Sequence, residues 1–98
     1  MERMKTTKIR QSARGKECDI RMPGCCNGNP ETVVHCHLPG GGMGGKMNDL
    51  FGARGCSDCH AEVDRVTQRY CSDEAALYHL QGVIRTQQAL IAEGLIKA

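Results

Sequence analysis

Cys56-Ser57-Asp58-Cys59-His60-Ala61-Glu62-Val63-Asp64 holds the densest chemistry in the chain, and its reading decides the fold class. A CxxC at a helix start turns both thiolates toward one ion, and the positive end of the helix dipole stabilises their charge. The pattern predicts a helix capped by Ser57 or Asp58 and running to about Tyr70, with His60 in its first turn. Cys18 and Cys26 flank the turn-rich Pro23-Gly24-Cys25-Cys26-Asn27-Gly28-Asn29-Pro30 and supply the other two soft ligands of a tetrahedral Zn2+ site. Cys25 can stand in for Cys26, because adjacent side chains diverge and only one faces the metal. A redox reading of the CxxC expects a βαβ setting and needs no distant second pair. Cys36 and Cys71 are left over and read as small buried hydrophobes.

Upstream of that helix, Thr32-Val33-Val34-His35-Cys36-His37-Leu38 is β-branched at its start and bounded by Pro30 and Pro39. It predicts a short strand with His37 near its end. GGGMGGKMND follows, with five glycines within residues 40–45, and reads as a mobile loop. It is not a phosphate-binding P-loop, because Met47 follows Lys46 where Ser or Thr is required. Downstream, Ala76, Leu77, Leu80, Val83, Ile84, Leu90 and Ile91 recur at helical steps. They predict an amphipathic C-terminal helix capped by Ser72 or Asp73, closed by Gly94, with its apolar stripe packed on the zinc-bound half.

His60 directly follows a zinc-ligating cysteine and points to another side of the helix, which leaves it free for a second metal. Asp64 lies one turn later on the same face, and the pair can hold a divalent ion such as Mg2+. Glu62 is off that face. His37 is a candidate general base, since a neutral imidazole takes a proton from water near neutral pH. His35 is two residues away on the same strand face, and residue type does not rank one histidine above the other. Together these groups suit phosphodiester hydrolysis, with a metal polarising the phosphate while a histidine activates water.

The 98 residues suffice for one domain, but with no Trp, one Phe, two Tyr and twelve Gly the core needs bracing. Residues 1–14 read as a flexible basic arm and residues 15–98 as the zinc-bound domain. Residues 1–21 carry seven Lys or Arg against three acidic groups, whereas the formal charge of the whole chain is only +2. Attraction for nucleic acid must therefore be local. MERMKTTKIRQSARGK lacks the apolar segment and small-residue cleavage site of a secretory signal, which points to the cytoplasm. Disulfides are rare there, and an odd number of cysteines favours metal ligation further. No apolar run approaches the roughly 20 residues of a membrane span. With so few aromatic rings to stack on bases, recognition by shape and phosphate is expected.

Cys18, the run Cys26-Asn27-Gly28-Asn29-Pro30-Glu31-Thr32, His37, Asp49-Leu50 and the run from Cys56 through Cys59, His60, Glu62 and Asp64 to Arg65 form one combination. In it the chain resembles the YbcO-like family of small lambdoid-phage and prophage proteins, nucleases of the His-Asn-His (His-Me finger, ββα-metal) class. The resemblance runs from about Ala13 to the C-terminal Gly94-Leu95-Ile96-Lys97-Ala98. It implies an α+β fold: a zinc-braced, treble-clef-like ββα finger followed by a C-terminal helix. It also selects His37 over His35 as the base and Cys26 over Cys25 as the ligand, and places Asn48 or Asp49 at the middle position, orienting His37. The position before the base, often a metal ligand in the wider class, is Cys36. The implied activity is metal-dependent hydrolysis of DNA in a bacterial host cell. The rival expectation is a non-catalytic zinc module that binds nucleic acid or a phage protein through the basic arm.

Overall fold

Two short strands carry the fold's centre. In the computed structural model, which describes residues 8–39 and 49–97, β1 (Val34–His37) pairs antiparallel with β2 (Gly52–Gly55). The register sets His35 opposite Arg54, Cys36 opposite Ala53 and His37 opposite Gly52. Strand β1 begins at Val34 because Pro30–Thr32 form a 3-10 turn, with the Asn29 side chain accepting from the Glu31 N–H at 3.0 Å. Strand β2 has no β-branched or aromatic residue. Its small side chains answer a spatial demand: a Cβ at Gly52 would collide with the His35 ring, and one at Gly55 would lie 2.6 Å from Ile20.

Helix α1 (Lys8–Ser12) lies within the stretch read as a basic arm and packs on β1 and on the 3-10 turn Asp49–Phe51. Residues 1–7 of that arm, and the glycine-rich segment 40–48 with Asn48, lie outside the described residues.

Helix α2 (Ser57–Val63) is shorter than its expected run to Tyr70, and its cap is Cys56 in place of Ser57 or Asp58. The Cys56 sulfur accepts the Cys59 N–H at 3.4 Å, so one atom serves both the cap and the cysteine cluster. The helix stops because Glu62 takes over its job. The buried Glu62 carboxylate accepts from Thr67 Oγ1 at 2.6 Å, Tyr70 N at 2.8 Å and Arg69 N at 3.2 Å, while Arg65 turns left-handed at φ 63°.

Helix α3 (Ser72–Ala92) crosses β2 and corrects the expected packing of the amphipathic helix. Val83 and Leu90 point inward with Ala75, His79, Gly82 and Thr86. Leu77, Leu80, Ile84 and Ile91 are instead 53%, 48%, 53% and 41% exposed, and Ala76 is exposed as well. Position 82 has no room for a side chain: a Cβ on Gly82 would sit 3.0 Å from the Ala53 Cβ and 3.1 Å from the Ile20 Cα. Cys71 occupies the N-cap position without a side-chain cap bond, where Ser72 or Asp73 was expected. It is also exposed, unlike Cys36, so the expectation of two buried leftover thiols holds for only one. At the other end Gly94 has φ 77°, and N–H groups of Gly94 and Leu95 reach the carbonyls of Ile91 and Leu90 at 3.0 and 2.9 Å, a Schellman closure.

Ile20, Met22, Val33, Cys36, Ala53, Val83 and Leu90 fill the core. Polar bonds supplement this small apolar set. Arg54, only 3% exposed, donates to both Glu93 carboxylate oxygens at 2.9 and 3.0 Å and to Ser12 Oγ at 2.9 Å. Thr86 Oγ1 accepts the Arg54 N–H and donates to Asp19, both at 2.9 Å. The result is a small α+β fold with a two-stranded sheet. Among the described residues, no helix is long and apolar enough to cross a membrane.

Candidate active site and metal centre

The sulfur atoms of Cys18, Cys26, Cys56 and Cys59 lie within 4.8 Å of one another. Cys18 and Cys26 come from the chain before and after the Pro23–Cys25 turn, Cys56 and Cys59 from the start of α2. The Cys26 and Cys56 sulfurs are 3.8 Å apart, the edge of a tetrahedron whose centre is about 2.3 Å from each corner. Backbone N–H groups of Arg21 and Asn27 point at Cys18 and Cys56, each at 3.4 Å. With a bond from the Cys59 thiol, its largest influence, and the one from Arg21, Cys18 is held well below the ordinary thiol range. Mostly buried sulfurs at this spacing, two of them facing backbone N–H groups, are a set that can bind a metal. Cys25 is not part of it: its thiol donates to the Asp58 carbonyl at 3.4 Å, and burial pushes its pKa up.

The second centre lies at the end of the hairpin. His37 Nε2 is 2.6 Å from Asp49 Oδ1, and Arg10 Nε donates to the same oxygen at 3.1 Å. A carboxylate on Nε2 favours the tautomer with its proton there, leaving Nδ1 as the basic ring nitrogen. His35 lies edge-on to His37, with ring centroids 4.9 Å apart, and its Nε2 bonds the Asp49 backbone carbonyl at 2.9 Å. Its Nδ1 is buried without a partner among the described residues, and burial lowers its pKa, so His35 is a neutral strut that holds the turn carrying Asp49. His35, His37 and Asp49 also lie close enough to share an ion, and hydrogen bonds from both rings to Asp49 join them without one. Cys36 between the histidines is pushed up to about 12 by burial and stays a thiol.

His37 shares a cleft of about 410 Å3 with His60, Asp64 and Arg65, walled by Leu38, Pro39 and Val63. His60 Nε2 lies 2.9 Å from Asp64 Oδ2, one helical turn away, and both side chains are substantially exposed. The structure therefore joins His37 to Asp49, and His60 to Asp64, around one opening. Asn48, the rival of Asp49, is outside the described residues. Glu62 faces away and serves the backbone after α2. Sequence reasoning missed Arg10, assigned to the arm, and His35 as a brace; the basic residue at helical reach before Ser12 and the two-residue histidine spacing were the available signals.

A family model described as "Putative nuclease YbcO" matches residues 7–95. The "Putative nuclease YbcO" of Escherichia coli (strain K12) is 45% identical over 93 residues, covering 92% of this chain and 97% of the relative. The protein of the same description from Enterobacteria phage 82 matches to the same extent. Among solved structures, "Structure of a putative bacteriophage protein from Escherichia coli str. K-12 substr. MG1655" superposes with a TM-score of 0.79 at 42% identity, covering 89% of this chain and 100% of that one. With the family model spanning residues 7–95 and the relatives aligned nearly end to end, this chain belongs to the YbcO family, whose members carry the description "Putative nuclease".

Proposed function

We propose that the protein is a metal-dependent endonuclease of the His-Asn-His class that hydrolyses DNA phosphodiester bonds. The observation that carries this reading is the 2.6 Å His37–Asp49 bond at a cleft that His37 shares with the His60–Asp64 pair. Asp49 fixes the ring and its tautomer, and His37 Nδ1 accepts the proton of the attacking water. Arg10 and His35 hold Asp49 by its carboxylate and its backbone carbonyl. Asn48 remains a second candidate for the orienting role.

His60 and Asp64 are the residues that would hold Mg2+ or a similar ion. Their imidazole nitrogen and carboxylate oxygen already converge at 2.9 Å on the open side of the cleft, a donor set suited to a divalent cation that keeps most of its waters. Such an ion supplies charge stabilisation for the phosphate and the leaving oxygen. Cys18, Cys26, Cys56 and Cys59 fit a structural Zn2+, all four being thiols at tetrahedral spacing with no position for solvent chemistry. The His-Asn-His finger, with its zinc brace and DNA substrate, is supported by the strand-end histidine, the CxxC-capped helix that follows the second strand, and the family's description as nucleases.

The test is nicking of supercoiled plasmid, and cleavage of a branched oligonucleotide, with Mg2+ or Mn2+. Wild type is compared with His37→Ala of matched zinc content and circular dichroism. The expected result is cleavage that His37→Ala reduces by about 10²–10⁴-fold. Absence of cleavage by folded, zinc-loaded wild type would overturn the reading in favour of a binding module.

A further inference from the structure

Helix α3 has two apolar faces, and the fold uses one. Leu77, Leu80, Ile84 and Ile91 are each about half exposed and fall on the side opposite Ala75, His79, Gly82 and Thr86, which meet the hairpin. Their steps of three, four and seven residues keep them in line along about 21 Å of helix. Interrupted only by Gln87 and Gln88 between Ile84 and Ile91, the row is apolar surface that a partner helix can cover. Its flanks are the neutral Gln81, Gln87 and Gln88, so no like charges oppose a copy of the same surface.

We infer that this stripe is a self-association surface, on which α3 of a second copy packs antiparallel about a two-fold axis beside Ile84. About that residue Leu77 lies seven residues before and Ile91 seven after, so a two-fold rotation lays Leu77 on Ile91 and Ile84 on Ile84, while Leu80 meets the aliphatic stem of Gln88. Charge selects the direction. A parallel pair would set Asp73 and Glu74 of one copy against those of the other and align the helix dipoles. The antiparallel pair turns each exposed acidic end toward the exposed Lys97 end of its neighbour and opposes the dipoles. Of the stripe, none of Leu77, Leu80, Ile84 and Ile91 lines the cleft holding His37 and His60, although Leu80 borders its Leu38–Pro39–Val63 wall, and the inference does not depend on the nuclease reading.

Sedimentation equilibrium of the zinc-loaded full chain tests it. The expected mass is twice the 10.7 kDa of one chain at tens of micromolar protein. Ile84→Lys and Ile84→Glu each place like charges beside the axis and weaken association at least about 30-fold, with zinc content and circular dichroism unchanged because the side chain lies outside the core. Mixing the two variants restores the double mass, a rescue that only apposed copies of residue 84 produce. A wild type that sediments as one chain, variants that remain paired, or a mixture that stays at the single-chain mass would each overturn the inference.

Discussion

Asp49 illustrates how little separates a positioned base from an ordinary surface histidine. It spends one carboxylate oxygen on two partners, His37 Nε2 at 2.6 Å and Arg10 Nε at 3.1 Å, while His35 pins its backbone. Asp49→Asn keeps the shape and removes the charge, and is expected to slow plasmid nicking by about 10–100-fold, the usual effect of losing a group that orients a reactive histidine. An unchanged initial rate would separate Asp49 from the chemistry. At this scale the sequence was most readable where chemistry travels with residue type: Cys18, the Cys56–Cys59 pair and the His60–Asp64 step needed only ligand identity and local spacing, while the choice of Cys26 over Cys25 needed the family resemblance. It could not rank Asn48 against Asp49, neighbours with the same reach. Nor could it see that Glu62 bonds the backbone at 69 and 70, because that role exists only once the chain has turned left-handed at Arg65.

Elements were less legible where space, not pattern, selects the residues. Strand β2 carries no strand signal because its glycines answer to the His35 ring and to Ile20. Helix α3 shows a clear period, but the period belongs largely to its outer face, and its inner face is built from Gly82, Thr86 and His79. Gly82→Val should therefore destabilise the fold by about 1–3 kcal/mol by overpacking against Ala53 and Ile20, measured as a lower midpoint in urea. His79 makes a second prediction. It is buried, its Nε2 bonds the Cys36 carbonyl at 2.9 Å, and burial lowers its pKa below the ordinary 6.5. A depressed histidine favours folding in its neutral form, so its contribution is complete above pH 6.5 and is lost as pH falls through the lower folded value. His35 shifts the same way. Unfolding free energy should thus decline on acidification below about pH 6.5, and His79→Gln should flatten part of that slope in urea titrations at stepped pH. A wild-type profile without the slope would contradict the burial argument.

The whole molecule is held at two ends by different means. At one end, four sulfurs join the turn-rich N-terminal segment to α2; at the other, the Arg54 clamp joins α1, β2 and the end of α3. Between them lies a core with no Phe or Trp, for Phe51 is itself exposed. Zn2+ held by the four cysteines, as proposed, would contribute about 10–16 kcal/mol of apparent free energy at neutral pH, as much as the entire stability of a typical domain. Metal removal by a strong chelator should therefore unfold the chain, seen as loss of helical circular dichroism in step with zinc release. A chelated protein that kept its spectrum would mean that the polar clamp and small core suffice.

That clamp also sets an order of events during synthesis. Arg54 and its partner Glu93 are 39 residues apart, so the guanidinium is synthesised and leaves the ribosome before the carboxylate that neutralises it. Burying Arg54 at 3% exposure without Glu93 would strand a charge in the interior. The four cysteines can come together as soon as Cys59 emerges, but the opposite end stays open until the final turn of the last helix arrives. The clamp is thus the part of the fold that closes last.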